Sequence, residues 1–255
     1  MELPDIIYQK SDAVASISLN RPETRNAFTL PMLDSLTTAL SDAQRDERIR
    51  VIVLSGQGNA FCSGGNIKDM ASGKLTSWDM KRFLWEHVQR IPLLMEDLDK
   101  PVIGAIDGPA HGGGFDLAMA CDLRVATDRA TFCAAYVRIG LAPGNGSAYY
   151  LTRCLGVSRA LDLLLTGRVM EMREALDLGL VQKTVQPENF QEEINAYAAQ
   201  MTRWPLQSLK AVKRAVRNGL CSDLRSHLDY MSSQLALLSQ TPEHMEAIRK
   251  LTQEK

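Results

Sequence analysis

The stretch Asp107-Gly-Pro-Ala-His-Gly-Gly-Gly-Phe-Asp116 sets a carboxylate two residues beyond three consecutive glycines. An apolar run, Pro101 to Ile106, precedes it, and Leu117-Ala-Met-Ala-Cys121 follows. That order reads as strand, tight turn and helix, with Gly112, Gly113 and Gly114 at the helix N-terminus. Backbone N–H groups there have no intrahelical partner, and the helix dipole favours negative charge developing on a bound carbonyl oxygen. Residues without side chains let a ligand approach that backbone closely. A glycine triplet alone serves close helix–strand packing equally well. A second stretch repeats the pattern: the buried-type strand Val51-Ile-Val-Leu-Ser55 runs into Gly56-Gln-Gly-Asn-Ala-Phe-Cys-Ser-Gly-Gly-Asn-Ile-Lys-Asp69. Two glycine-rich turns after two parallel-type strands can give one N–H each to a single oxygen. Asp116 could merely satisfy the helix dipole, worth ~0.3–1 kcal/mol. Because it leaves the same turn that would hold the oxyanion, we read it as catalytic.

The elements that must position these turns follow from periodicity. Residues 6–10 and 13–19 alternate as a hairpin with Ser11-Asp12 at its turn, and 20–26 form a polar loop. Leu30, Leu33, Leu36 and Leu40 mark a helix that tolerates Pro31 in its first turn. Ser77 is placed to cap a helix carrying Leu84, Val88, Ile91, Met95 and Leu98, which Pro92 should kink or divide. Trp78, Phe83 and Trp85 at helical spacing read as core, with the lining of a binding pocket as the alternative. Leu123 to Ala126 is a short strand. Gly140, Gly144 and Gly146 break regular structure before a helix opened by Tyr149, Tyr150 and Leu151. Leu161 to Leu165 and Ala175 to Leu180 are further short helices, the second closed by Gly179. From Pro187 onward four amphipathic helices follow without strands, and their apolar surplus predicts packing against another subunit.

A chain of 255 residues can bury one sizeable core or one core with a small appendage. A formal charge of −1 with interspersed signs argues against nucleic acid or a membrane surface as partner. Five cysteines, Cys62, Cys121, Cys133, Cys154 and Cys221, suit a reducing compartment and read as small core fillers. With no basic start before an apolar run and no stretch of membrane-spanning length, a cytoplasmic protein is expected. No His/Cys/Asp cluster has metal spacing, so no metal is expected. His87, His227 and His244 stand isolated on predicted helices, and His111, beside the triplet, reads as structural filler.

Ala60-Phe-Cys-Ser-Gly-Gly-Asn-Ile-Lys68 and Gly108-Pro-Ala-His-Gly-Gly-Gly-Phe-Asp-Leu-Ala-Met-Ala-Cys-Asp122 together resemble the crotonase (enoyl-CoA hydratase/isomerase) superfamily. Leu19-Asn-Arg-Pro22, Arg25-Asn-Ala27, Ile139-Gly-Leu-Ala-Pro-Gly144, Leu151-Thr-Arg-Cys-Leu-Gly156 and Leu165-Thr-Gly-Arg168 extend the resemblance over nearly the whole chain, in order. It implies an α/β fold, a crotonase-like spiral of ββα units over residues 1–186 that binds acyl-CoA, and a C-terminal helical region, 187–255, that assembles a homotrimer or a hexamer. The substrate would be an acyl-CoA thioester, coenzyme A belonging to the substrate, with no separate cofactor. Matched residue by residue, the oxyanion donors fall on Ser63 and Gly113, and the first hydratase glutamate on Asp116. The second glutamate falls on Tyr136, a phenol with an ordinary pKa near ~10 and a poor base. Asn145 stands in the Pro-x-x-Gly turn, where some relatives carry a carboxylate. It can orient a group and cannot accept a proton as a base. Arg25, Ala27, Ala60, Gly64, Ile67 and Lys68 match CoA-binding positions; for Arg25 a solvated surface role is the equal alternative. The chain stops at Lys255 without the Lys-Arg-x-Pro-x-Phe ending that members often place on a neighbour's CoA, which puts that contact in question.

Three functions stay open from the sequence: a hydratase or double-bond isomerase using Asp116 as its single acid/base, another thioester-enolate reaction such as decarboxylation or hydrolysis, and a catalytically silent acyl-CoA-binding relative. Fold does not choose among them, because the superfamily keeps the thioester site and varies the chemistry.

Overall fold

The computed structural model describes residues 2–65 and 76–253. Val51 to Leu54 and Val102 to Ile106 are buried without interruption. A strand covered on both faces reads as a continuous apolar run, and these two lie at the centre of a parallel sheet. That sheet has the order β1-β2-β3-β4-β6-β9, formed by β1 (Ile6–Ser11), β2 (Val14–Leu19), β3 (Val51–Gly56), β4 (Val102–Ile106), β6 (Leu123–Thr127) and β9 (Lys183–Val185). Only the β1–β2 pair is antiparallel. Its turn is Asp12-Ala13, one residue later than the sequence suggests, with both residues at positive φ (49° and 65°). A two-residue loop of that hand matches the right-handed twist of the strands.

Successive side chains of the central strands point to opposite faces. Ile52, Leu54, Val102 and Ile106 face a core closed by α1 (Leu30–Arg45), α3 (Arg90–Asp97) and α4 (Gly113–Ala120). Val51, Val53, Ile103 and Val125 face the other way, onto Ile194 and Ala198 of α8 (Phe190–Thr202). Thr29 caps α1, its hydroxyl accepting from Met32 N–H at 3.1 Å, with Pro31 in the first turn as expected.

A small second sheet carries the site. β5 (Pro109–His111) pairs in parallel with β7 (Thr131–Cys133), and β7 pairs antiparallel with β8 (Met170–Glu171). Cys62 bridges to Ala110, so the first glycine turn lies directly beside the strand that enters the triplet.

The helix expected to follow Ser77 differs in two respects. Thr76, not Ser77, caps α2 (Ser77–Phe83), in a reciprocal capping box with Asp79. The division falls upstream of Pro92, in a π-helical turn at Leu84–Val88 closed by Gln89 N–H to Leu84 C=O at 2.8 Å. Pro92 then sits in the first turn of α3, where a missing N–H costs little. The mid-chain helices are α5 (Ser147–Leu155), α6 (Val157–Thr166) and α7 (Met172–Asp177).

Beyond Val185 the chain is helical, with α9 (Leu206–Gly219), α10 (Leu224–Leu238) and α11 (Pro242–Gln253) following α8. Lys213 ties α9 to the sheet, its Nζ donating to Lys100 C=O at 2.8 Å and to Asp122 Oδ2 at 2.6 Å. α10 and α11 bury no side chain, leaving Leu224, Leu228, Leu235, Leu237 and Leu251 exposed. No helix among the described residues is long and apolar enough to cross a membrane. Cys62, Cys121 and Cys133 are buried fillers as expected, whereas Cys154 and Cys221 are exposed on helices; all five are free thiols.

Candidate active site

The two glycine turns meet backbone to backbone. Cys62 C=O accepts from His111 N–H at 3.0 Å, and Pro109 C=O accepts from Phe61 and Cys62 at 3.1 and 3.2 Å. A Cβ on Gly64 would lie 2.4 Å from Gly113 N, and one on Gly114 only 2.0 Å from Cys62 O. No side chain fits at either place, which is the physical reason for glycine in both turns.

The polar loop 20–27 locks the first turn. Buried Asn26, at φ 55°, donates from Nδ2 to the carbonyls of Gln57, Ala60 and Phe61 at 3.0, 2.8 and 3.2 Å, and its Oδ1 accepts from Arg21 N–H at 2.8 Å. Sequence reasoning assigned Asn26 no role; an asparagine in a polar loop signals a turn, not three long-range bonds.

This lock overturns one expectation. Ser63 N–H donates to Arg25 C=O at 2.9 Å, so it is not available to a substrate oxygen. Gly64 N–H donates to Cys62 Sγ at 3.3 Å. The next N–H along the turn, that of exposed Gly65, has no acceptor among the described residues. On the other turn, Gly112 N–H is held by Cys133 C=O at 2.8 Å, while Gly113 N–H, at the first position of α4, also has no acceptor among the described residues.

Asp116 follows one turn into α4 and is 1% exposed. Its Oδ1 accepts from Ser147 N–H, at the N-terminus of α5, at 3.0 Å. Its Oδ2 accepts from the Tyr136 hydroxyl, in the 3-10 turn Ala135–Ile139. Asn145 Nδ2 approaches the same hydroxyl at 3.4 Å, and Asn145 Oδ1 is buried without a partner. The structure therefore brings Asp116, Tyr136, Asn145 and Gly113 together. It adds the Ser147 N–H, which a side-chain inventory cannot reveal. Burial pushes the Asp116 carboxyl above its usual range, against the donors from Ser147, Tyr136 and Asn145. Burial and the Asp116 charge push Tyr136 up as well, so its phenol keeps its proton.

Arg25, Ala27, Ala60 and Gly64 gather around the first turn. Gly64 C=O accepts from Phe28 N–H at 2.8 Å, Ala27 and Ala60 are buried, and Arg25 is exposed at φ 54°. Ile67 and Lys68 lie outside the described residues. His111 Nε2 lies 3.0 Å from Thr131 Oγ1, and burial with the nearby charges of Arg138 and Arg25 pushes its imidazole below the ordinary histidine range. Cys62 is no nucleophile, since burial lifts its thiol to about 12.

Two spaces lie near these groups. An inner one of about 10 Å³ is bounded by Phe28, Leu33, Val88, Ile91, Leu117 and Gly113, with Asp116 and Asn145. An outer cleft of about 350 Å³ begins at Asn145 and Pro92, which border both, and is walled by Trp85, Leu93, Tyr149 and Tyr150. Of the three aromatics on the second helical segment, Phe83 packs on the core, whereas Trp78 and Trp85 are 64% and 65% exposed.

These features recur in known proteins. The model of the enoyl-CoA hydratase/isomerase family matches residues 9–252. The trans-2-decenoyl-[acyl-carrier-protein] isomerase of Streptococcus mutans is 28% identical, over 100% of this chain and 97% of its own. The 4-chlorobenzoyl coenzyme A dehalogenase-2 of an Arthrobacter species is 33% identical, over 87% of this chain and 80% of its own. Among solved structures, enoyl-CoA hydratase subunit I of Geobacillus kaustophilus superposes with a TM-score of 0.92 at 32% identity, covering 100% of this chain and 97% of that one. Matched by the family model over residues 9–252 and superposing along its whole length on a solved member, the chain belongs to the enoyl-CoA hydratase/isomerase family and has the crotonase fold.

Proposed function

We propose that this protein shifts the double bond of an enoyl thioester, with Asp116 as its single acid/base. The supporting observation is the surroundings of Asp116. It is the only carboxylate on the inner space among the described residues, and the position matched to the second hydratase glutamate holds a protonated phenol. Among the described residues, the acid that lines the outer cleft, Glu96, faces Arg217 at 4.0 Å.

In this reading the thioester oxygen sits between the N–H groups of Gly113 and Gly65, the latter replacing Ser63. The ionised Asp116 takes a proton from the α-carbon, between carbonyl and double bond. The electron pair moves onto the thioester oxygen, where two preorganised donors hold the enolate. The same carboxylic acid then returns the proton to the γ-carbon, and the double bond ends in conjugation with the carbonyl. A carboxyl pushed up by burial is a stronger base for this step than an ordinary aspartate. Tyr136 and Ser147 hold the carboxylate in place throughout, and Asn145 orients the acyl group. Adding water requires a second group to activate it, and neither a protonated Tyr136 nor Asn145 accepts a proton.

The relatives' names support a thioester-handling site with variable chemistry, one being an isomerase and one a dehalogenase. Spectrophotometric assays of 3-enoyl-CoA isomerisation and of crotonyl-CoA hydration test the proposal together. Isomerisation with weak hydration is expected. Efficient hydration would overturn the one-acid mechanism, and hydrolysis or decarboxylation of an acyl-CoA panel without isomerisation would replace it.

A further inference from the structure

Among the described residues, an inner space beside Gly113 and Asp116 and an outer cleft meet at Asn145 and Pro92. Inward lies about 10 Å³ enclosed by Leu33, Val88 and Ile91, room for roughly one water molecule. Those side chains belong to the packed core, two of them buried on α1 and α3, so the space cannot widen without breaking the core. Among the described residues, room for an acyl group lies outward past Asn145 and Pro92, in the cleft of about 350 Å³.

That cleft offers aromatic surface. Trp85 and Tyr149 remain 65% and 45% exposed. Tyr149 and Tyr150 meet edge to face, with centroids 5.3 Å apart and planes at 87°. Tyr150 is drawn against the backbone of the preceding turn: a Cβ on Gly146, at φ 117°, would meet its ring at 2.7 Å. The Arg153 guanidinium lies 3.4 Å from the Tyr149 ring centroid and fixes that ring's position. Two polar side chains of the cleft are engaged, Gln89 Nε2 donating to Gly144 C=O at 2.7 Å and Glu96 facing Arg217, while Asn145 Oδ1 at its inner end has no partner among the described residues. Three aromatic rings and an aliphatic floor of Pro92 and Leu93 surround a volume that a four-carbon acyl chain would leave mostly wet. A flat ring fills such a space and gains edge or face contacts that a flexible chain does not.

We propose that this cleft is the acyl subsite and that it selects thioesters whose acyl group carries a ring, aryl or cyclic, over straight-chain ones. The inference rests on the thioester reading above. Calorimetric titration of the full chain with saturated, unreactive probes tests both: 3-phenylpropanoyl-CoA, octanoyl-CoA, butyryl-CoA and free CoA. Binding of 3-phenylpropanoyl-CoA is expected to be roughly 10–100-fold tighter than that of butyryl-CoA, and tighter than that of octanoyl-CoA. Trp85→Ala and Tyr149→Ala, both at exposed positions, should each cut that ratio severalfold, with circular dichroism confirming the fold. Equal binding of the three thioesters, tighter binding of octanoyl-CoA, or an unchanged ratio in both variants overturns ring selection alone. Binding of no thioester overturns the thioester reading and ring selection with it.

Discussion

Replacing Asp116 by asparagine should separate what this carboxylate does for catalysis from what it costs the fold. Asparagine keeps the size of the side chain and can still accept the Ser147 N–H through Oδ1, the bond that measures 3.0 Å in the wild-type protein. It removes the only proton acceptor of the inner space. A positioned acid/base contributes roughly 10²–10⁴ in rate, or about 2.7–5.4 kcal/mol of barrier, so isomerase activity should fall by that factor. Stability should move the other way. Burial places the Asp116 carboxyl above its unfolded range, so the folded state holds its proton more tightly than the unfolded chain does. The stability it contributes is fully present below the unfolded carboxyl range, near ~3.9, and is lost as pH rises through the folded value. Each pH unit within that window removes at most about 1.4 kcal/mol, the linkage slope for one proton. Asp116→Asn has no such proton, so its advantage over wild type should be absent at acid pH, open above the ordinary carboxylate range and level off above the folded value. Urea unfolding of both proteins across pH, beside turnover at each pH, measures the two quantities. A variant of normal activity would remove the aspartate from the mechanism. A variant whose deficit against wild type grows as pH rises through the carboxylate range would show instead that the bonds to the charged carboxylate outweigh the cost of burying it.

Gly65→Pro deletes one backbone donor at an exposed turn residue and should lower kcat by roughly 10²–10³, the usual loss for one oxyanion donor; normal turnover by the folded variant would sink the assignment. Gly113→Pro is the less clean probe, since even a Cβ there would meet Phe28 at 2.8 Å. Tyr136→Phe removes a donor to the Asp116 carboxylate, so the acid limb of the pH–rate profile should move to higher pH while activity falls by no more than roughly 10²-fold, a hydrogen bond to a charged group being worth ~1.5–3 kcal/mol at most. An unmoved limb would mean that the phenol does not hold the carboxylate. The apolar residues left uncovered on α10 and α11 predict an assembly of three or six chains by light scattering, and a monodisperse monomer at micromolar concentration would refute that interface.

The contrast between Ser63 and Asn26 shows what sequence can and cannot say about such a site. Strands β3 and β4 are legible because burial on both faces writes itself as an unbroken apolar run, and α1 because leucine recurs at helical spacing. The glycine turns are legible for a related reason: a backbone that approaches another backbone to within 2.0–2.4 Å of a would-be Cβ admits no other residue. Matching those turns to a family motif finds the right loop, but choosing the donor within it needs the hydrogen-bond partner of each N–H, a long-range quantity. Arg25, a loop residue with no periodicity, consumes the Ser63 N–H, and Asn26, pinned by bonds to residues 31 to 35 positions away, keeps Arg25 where it can. Asp116 was identifiable by its distance from the triplet, yet its environment comes from Tyr136 and Ser147, on turns that the second sheet and α5 bring back to it. The outer cleft was least visible, because Trp85, Tyr149 and Tyr150 have the spacing of ordinary core residues. Only the uncovered faces of Trp85 and Tyr149 distinguish them, and exposure of a large ring cannot be read from one helix without knowing what packs on it. A site of this kind is therefore encoded twice: in glycines that the sequence displays, and in the loops that spend or spare each N–H, which only the assembled fold displays.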